Sequence, residues 1–359
     1  MREKRLMKGN EALAEAAIAS GCRYYFGYPI TPQNEITEYM SRELPKAGGS
    51  FVQAESELAA ISMAYGAAAA GGRVLLTSSS PGVALMQEGI SFLCSADVPL
   101  VLVNVSRGGP GIGGIQPGQA DYFQATRGGG NGDYHTLVYA PASIQESVDT
   151  MRKAFDVSDE YRNPVMLLVD GMLGQMMEPV LLPEALGGGV TREIREKKEW
   201  ALRGHGNNGG KNTIRSLRLK PEELERSIEA REEKYIRAQI ELPEYEEIGL
   251  EGAEIVFAAF GSTSRIVKEA MGRLGSEGIR CGLIRPITLW PFPYHAFNKI
   301  EDTTKLVVSV ELSMGQMIQD VLIATRGKRR VELIHRTGGA LLTPEEVATK
   351  AKDYLGVSL

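Results

Sequence analysis

Short apolar runs alternate with helical periods over residues 9–170. The pattern predicts strands at 23–27, 50–54, 73–78, 99–105, 136–140 and 164–170. Two of these, LVLVNV (100–105) and VMLLVD (165–170), are nearly continuous in apolar residues. Strands that read this way are buried on both faces, as in a parallel sheet. Between them lie helical stretches with readable starts. Thr31-Pro32 has the form of an N-cap followed by proline at the first helical position. Ser143-Ile-Gln-Glu146 has the form of a capping box opening a helix toward Tyr161. The expected architecture is α/β, with a doubly wound parallel sheet in a first domain.

The pattern changes near Pro183. Leu186-Gly-Gly-Gly189 and the run from Gly204 through His205 to Gly210 read as linker, and residues 221–242 as a charged, mostly solvated helix. A second, smaller α/β series follows, with strands expected at 254–260, 280–284, 305–310 and 331–335. It closes with a helix opened by the capping box Thr343-Pro-Glu-Glu346. The expected division is 1–185, a linker with a charged helix over 186–250, and 251–359.

Composition narrows the function classes. The 359 residues are 43% hydrophobic, enough for a sizeable core. A net charge of −5 gives no electrostatic footprint for nucleic acid. No apolar run reaches the roughly 18 residues that suggest a membrane span, and the basic N-terminus is followed by no apolar segment of a secretory signal. The three cysteines, Cys22, Cys94 and Cys281, are far apart and form no iron–sulfur or disulfide pattern. A reducing cytoplasm is the expected compartment.

Candidate chemistry gathers where expected strands hand over to helices or loops, the edge at which open α/β sheets bind ligands. Thr31 is either a plain N-cap or a cap that also donates its hydroxyl to a substrate carboxylate. Glu57 is either a first-turn acid favoured by the helix dipole or a partly buried carboxylate exchanging a proton with a heteroaromatic nitrogen. Arg107, after LVLVNV, is either one half of a structural ion pair or a bidentate grip on a carboxylate. The glycine-rich segment 108–133 is too long for an ordinary structureless connection and reads as a lid or partner contact. Within it, Gly109-Pro-Gly-Ile-Gly-Gly114 matches GxGxxG but follows a late strand and is not followed by a helix start, so it is discounted. His135, His205, His295 and His335 show no metal-ligand spacing. Trp290 and Pro291 read as core or domain packing.

GYPITP (27–32), SELAAISMAYGAAAAG (56–71), SRGGPG (106–111), GLIRPITLWPFP (282–293) and VELSMGQM (310–317) together resemble the α-type subunit of 2-oxoacid:ferredoxin oxidoreductases. The resemblance spans the chain except the stretch near 185–245. It implies a thiamine-diphosphate pyrimidine-binding domain followed by a transketolase-C-terminal-like domain. GGIQPGQADYFQATRGGGNGDY (113–134) is most similar to the 2-oxoisovalerate branch, with 2-oxoglutarate or pyruvate as alternative substrates. By that resemblance Glu57 bonds N1′ of the cofactor's aminopyrimidine, with Glu55 as the alternative should the register differ. Thr31 and Arg107 hold the substrate's carboxylate and oxo oxygen, and Tyr28, Pro29 and Ile30 border the cofactor.

The resemblance also implies what this chain lacks. No GDG motif with a following asparagine is present to hold a diphosphate through Mg²⁺, so a partner catalytic subunit must supply that half. Iron–sulfur clusters belong on ferredoxin-like or gamma-type subunits, which pass electrons to ferredoxin while the acyl group goes to coenzyme A. Three competing readings remain: a nucleotide-dependent Rossmann enzyme, another thiamine enzyme, and a non-catalytic docking or regulatory subunit.

Overall fold

The computed structural model describes residues 3–204 and 211–356. The run around His205 lies outside the described residues. Seven strands make the first sheet, in the order Thr288–Trp290, Leu137–Tyr139, Pro164–Asp170, Leu100–Ser106, Val74–Ser78, Tyr24–Gly27 and Ser50–Gln53. All pair in parallel except Thr288–Trp290, which runs antiparallel at the edge. Every residue of Leu100–Ser106 and Pro164–Asp170 is buried, which is why those segments carry unbroken apolar runs. The Ala-rich helices Gly9–Ala19 and Glu57–Ala69 lie close to their neighbours because small side chains permit it.

The second sheet has the order Val331–His335, Leu306–Glu311, Ile255–Ala258, Cys281–Pro286 and Tyr245–Ile248, the last antiparallel. A separate two-stranded pair joins Arg5–Lys8 to Met177–Val180. The two large sheets are stitched together. Arg285 bonds Glu146 on helix Ile144–Tyr161 at 2.9 and 3.0 Å and Glu246 at 2.6 Å. Asp170 at the end of a first-sheet strand accepts from Ser262.

Several local expectations are corrected. Thr31 is not an N-cap: its peptide to Pro32 is cis, the turn is closed by Gln33 N–H to the Ile30 carbonyl, and the helix starts at Asn34. Ser143 does cap its helix, but Glu146 reaches the Ala142 amide and Arg285 instead of closing the box. The capping box at Thr343 is complete. The segment 108–133, too long for a structureless connection, contains the helix Tyr122–Arg127. The charged helix Pro221–Glu241 is exposed on most of its surface, yet it docks through Arg231, Tyr235 and Ala238. There Arg231 donates to the Cys94 and Ser95 carbonyls, and Tyr235 packs edge-on against Trp290. Trp290 itself belongs to the strand that the second half of the chain adds to the first sheet.

Glu311 anchors the second sheet's functional end. It is fully buried and accepts from the hydroxyls of Ser309 and Ser313 and the amides of Gln316, Met317 and Ile318, all at 2.8–2.9 Å. Those amides open helix Met317–Thr325, so the carboxylate takes the place of a cap. Glu311→Ala strands these donors in the interior. It should cost at least about 3 kcal/mol in denaturant unfolding; a loss below about 1 kcal/mol would show the network to be dispensable.

Candidate active site

The parallel strands of the first sheet all release their chain at one edge, and the polar candidates stand there. Ser50–Gln53 leads into helix Glu57–Ala69, whose N-cap is Ser56, with Oγ accepting from the Ala59 amide at 3.3 Å. Capping is thus done by Ser56 and not by the acids. Glu55 is exposed and takes a bond from Ser56 at 2.8 Å. Glu57, at the first helical position, is only 6% exposed. Among the described residues no hydrogen bond or ion pair reaches its carboxylate. It lies against the short helix Ser80–Leu85, where a Cβ on Gly82 would stand 2.4 Å from Glu57 Oε1 and 2.1 Å from Ser78 Oγ. A side chain there would displace both oxygens.

Two residues away on the same helix, Ser80 Oγ accepts from the Arg107 amide at 2.9 Å and donates to Asp121 at 2.6 Å. Arg107 is 7% exposed. Its guanidinium donates to the carbonyls of Thr31 at 2.7 Å and Ile112 at 2.8 Å, while Nε has no partner. No carboxylate pairs with it among the described residues, so the structural ion-pair reading fails. Thr31 is therefore brought to Arg107, but through its carbonyl; its hydroxyl makes no hydrogen bond among the described residues. Tyr28 and Pro29 are exposed, and Ile30 is partly so.

A cleft of about 610 Å³ opens beside Thr31, with Ile115, Met172 and Met176 among its apolar lining and Leu341 reaching in from the second half of the chain. Glu35 borders it. Burial pushes that carboxyl up, but bonds from Asn10, Gln175 and Lys8 outweigh this and hold it below the usual carboxylate range. The loop after Arg107 turns back on itself, with Gly114 N–H bonding the Gly108 carbonyl, Arg107 bridging Pro117, and no helix before Tyr122. A dinucleotide fingerprint needs a helix opening at that point, so the glycine match is discounted on geometry too.

Histidines stand outside this constellation. His135 stacks on Trp290 at 4.2 Å, and burial pushes its imidazole below the ordinary value. His295 packs edge-on against Tyr245. No cluster of metal-ligating side chains occurs among the described residues. Cys22, Cys94 and Cys281 are free thiols, and burial pushes each up to about 12.

Sequence reading did not single out Ser78, Ser79, Gly82 or Ser106. The hydroxyls of Ser78, Ser79 and Ser106, like Arg107 Nε, are buried and unpartnered at this same edge. The serine run Ser78-Ser-Ser80 directly after the apolar strand was the available signal.

Residues 15–239 match the thiamine diphosphate-binding region of pyruvate flavodoxin/ferredoxin oxidoreductases, and residues 253–347 match core domain II of pyruvate:ferredoxin oxidoreductase. Ketoisovalerate oxidoreductase subunit VorB of Methanothermobacter thermautotrophicus is 46% identical over 98% of this chain and 98% of its own length. The chain belongs to the 2-oxoacid:ferredoxin oxidoreductase family. Within that family, 2-oxoglutarate synthase subunit KorA of Methanocaldococcus jannaschii is 36% identical over 95% of this chain and 97% of its own. A 2-oxoglutarate:ferredoxin oxidoreductase from Magnetococcus marinus, solved with 2-oxoglutarate, coenzyme A and succinyl-CoA, superposes with a TM-score of 0.84 at 27% identity; the match covers 98% of this chain and 65% of that one. A split-gene transketolase, with a TM-score of 0.60 at 15% identity, shares the fold alone. As an α-type member of the family, the chain carries its thiamine-diphosphate-binding region in the first sheet. None of its described helices is long and apolar enough to cross a membrane.

Because no hydrogen bond or ion pair among the described residues holds Glu57 in the lone chain, its charge contributes little to folding. Glu57→Gln should change unfolding free energy by less than about 1 kcal/mol in the purified chain. A loss of several kcal/mol would assign the carboxylate a structural role.

Proposed function

We propose that this chain is the pyrimidine-side subunit of a 2-oxoacid:ferredoxin oxidoreductase that converts a branched-chain 2-oxoacid, best 2-oxoisovalerate, to acyl-CoA and CO₂ with electrons delivered to ferredoxin. The observation that carries the site is a buried carboxylate and a buried guanidinium, neither with an ionic partner, flanking one helix start in a thiamine-binding region. The 46% identity to ketoisovalerate oxidoreductase subunits, against 36% to a 2-oxoglutarate synthase subunit, favours the branched-chain substrate.

The residues present suit the cofactor: a buried carboxylate that accepts from nothing among the described residues, and a buried edge of unpartnered hydroxyls. Bound thiamine diphosphate supplies an electron sink for decarboxylation. Glu57 holds a proton at N1′ of the aminopyrimidine. Tyr28, Pro29 and Ile30 border that ring. Arg107 and Thr31 hold the substrate's carboxylate and oxo oxygen. The diphosphate and Mg²⁺ sit on a partner catalytic subunit, iron–sulfur clusters on ferredoxin-like and gamma-type subunits, and the assembly works in the cytoplasm.

The test is viologen reduction by the complex pulled from its native host under anoxia, with coenzyme A, thiamine diphosphate and Mg²⁺. CoA-dependent reduction fastest with 2-oxoisovalerate is expected; faster turnover of 2-oxoglutarate or pyruvate would reassign the substrate. No reduction of any kind with partners intact would mean a non-catalytic subunit. Glu57→Gln should abolish turnover. Arg107→Ala should raise the KM for the 2-oxoacid at least about tenfold while thiamine diphosphate affinity stays within about threefold. Equal losses of both would contradict a substrate-holding role.

A further inference from the structure

Ser78 ends the strand Val74–Ser78 and is fully buried. The strand alternation turns its neighbour Thr77 to one face, where Thr77 donates to Gln33 Oε1 at 2.6 Å and meets the Tyr25 hydroxyl at 2.7 Å. Ser78 points the other way. Its Oγ faces the same point above Gly82 that Glu57 Oε1 faces, 2.1 and 2.4 Å from where a Cβ would stand. The Ser78 hydroxyl has no hydrogen-bond partner, and no partner reaches Glu57 among the described residues. A hydroxyl can donate, whereas an ionised carboxylate only accepts. Buried side by side, each supplies what the other lacks, and leaving a buried hydroxyl unmade is costly. The absence of a side chain on Gly82 leaves the space between them open.

We propose that Ser78 is a positioning residue for Glu57. Unpaired in the lone chain, its hydroxyl turns to donate to the Glu57 oxygen that faces Gly82 in the assembled, cofactor-bound complex, which fixes the carboxylate's rotation and leaves the second oxygen for the cofactor. Ser78 does not touch the reacting atoms; it acts through Glu57. The inference rests on the reading of Glu57 given above and adds to it the group that holds the carboxylate in place.

The test uses the assembled complex. In Ser78→Ala, kcat should fall at least about tenfold, while the KM values for the 2-oxoacid and coenzyme A stay within about twofold. Calorimetric titration of the cofactor-stripped complex should show thiamine diphosphate binding weakened about tenfold, the scale of one hydrogen bond to a charged group. Ser78→Cys keeps the volume with a feeble donor and should be impaired to a similar degree, which separates donation from packing and remains informative if the alanine variant fails to assemble. In a Glu57→Gln background, Ser78→Ala should weaken cofactor binding no further. Wild-type kcat and affinity in Ser78→Ala, full function in Ser78→Cys, or a loss that adds to that of Glu57→Gln would each overturn the inference. Full turnover in Glu57→Gln alone would instead remove the reading of Glu57 beneath it.

Discussion

A guanidinium buried at the end of a central strand, bonded to carbonyls and paired with no carboxylate among the described residues, organises the edge where the polar candidates stand. Taking a charge out of water costs several kcal/mol unless it is compensated. Arg107 recovers part of that from the Thr31 and Ile112 carbonyls. The first of these bonds ties the turn after the strand Tyr24–Gly27 to the loop after the strand Leu100–Ser106, and the second closes that loop on itself. The carbonyls bring partial charge only, and Nε is left over. The guanidinium thus carries a charge that no ion pair among the described residues offsets, beside the place where an anionic substrate is proposed to bind.

The second sheet holds that loop from the far side. Gly108 lies against the Gly338–Gly339 backbone, and a side chain on Gly339 would strike Gln116 at 2.5 Å. Gln119 is buried between the sheets, donating to the Phe260 carbonyl and accepting from Thr263 and the Leu312 amide. Asp320 accepts from Tyr122, Tyr294 and Arg127. The glycine-rich segment is thus held by hydrogen bonds from the second half of the chain, which fix a loop much as a core element is fixed. It also explains why motifs as distant as VELSMGQM and SRGGPG belong to one machine: Glu311 shapes the turn whose Leu312 grips Gln119.

The sheet was legible because burial on both faces writes itself as continuous apolar sequence; the six first-sheet strands read from the pattern lie within a residue or two of their observed ends. Glu57's place on its helix was legible from Ser56 and the alanine run that follows. Other features depend on contacts that periodicity does not encode. The helix after Thr31 begins late because Gln33 is drawn inward to Thr77 and Thr37. Glu146 leaves its capping box half made because Arg285, 139 residues on, competes for it. The strand Thr288–Trp290 is three residues long and borrows its partner from the other half of the chain. Ser78 gains meaning only through Gly82, which places it beside a carboxylate 21 residues earlier in sequence.

If the cofactor site is shared between subunits, this chain offers the pyrimidine edge and nothing for the diphosphate. The direct measurement is calorimetric titration of thiamine diphosphate with Mg²⁺ into the purified chain alone and into the complex reconstituted from its subunits. Binding by the complex with none measurable by the lone chain is expected. Tight, Mg²⁺-dependent binding by the lone chain would contradict a shared site and place a diphosphate anchor within these 359 residues.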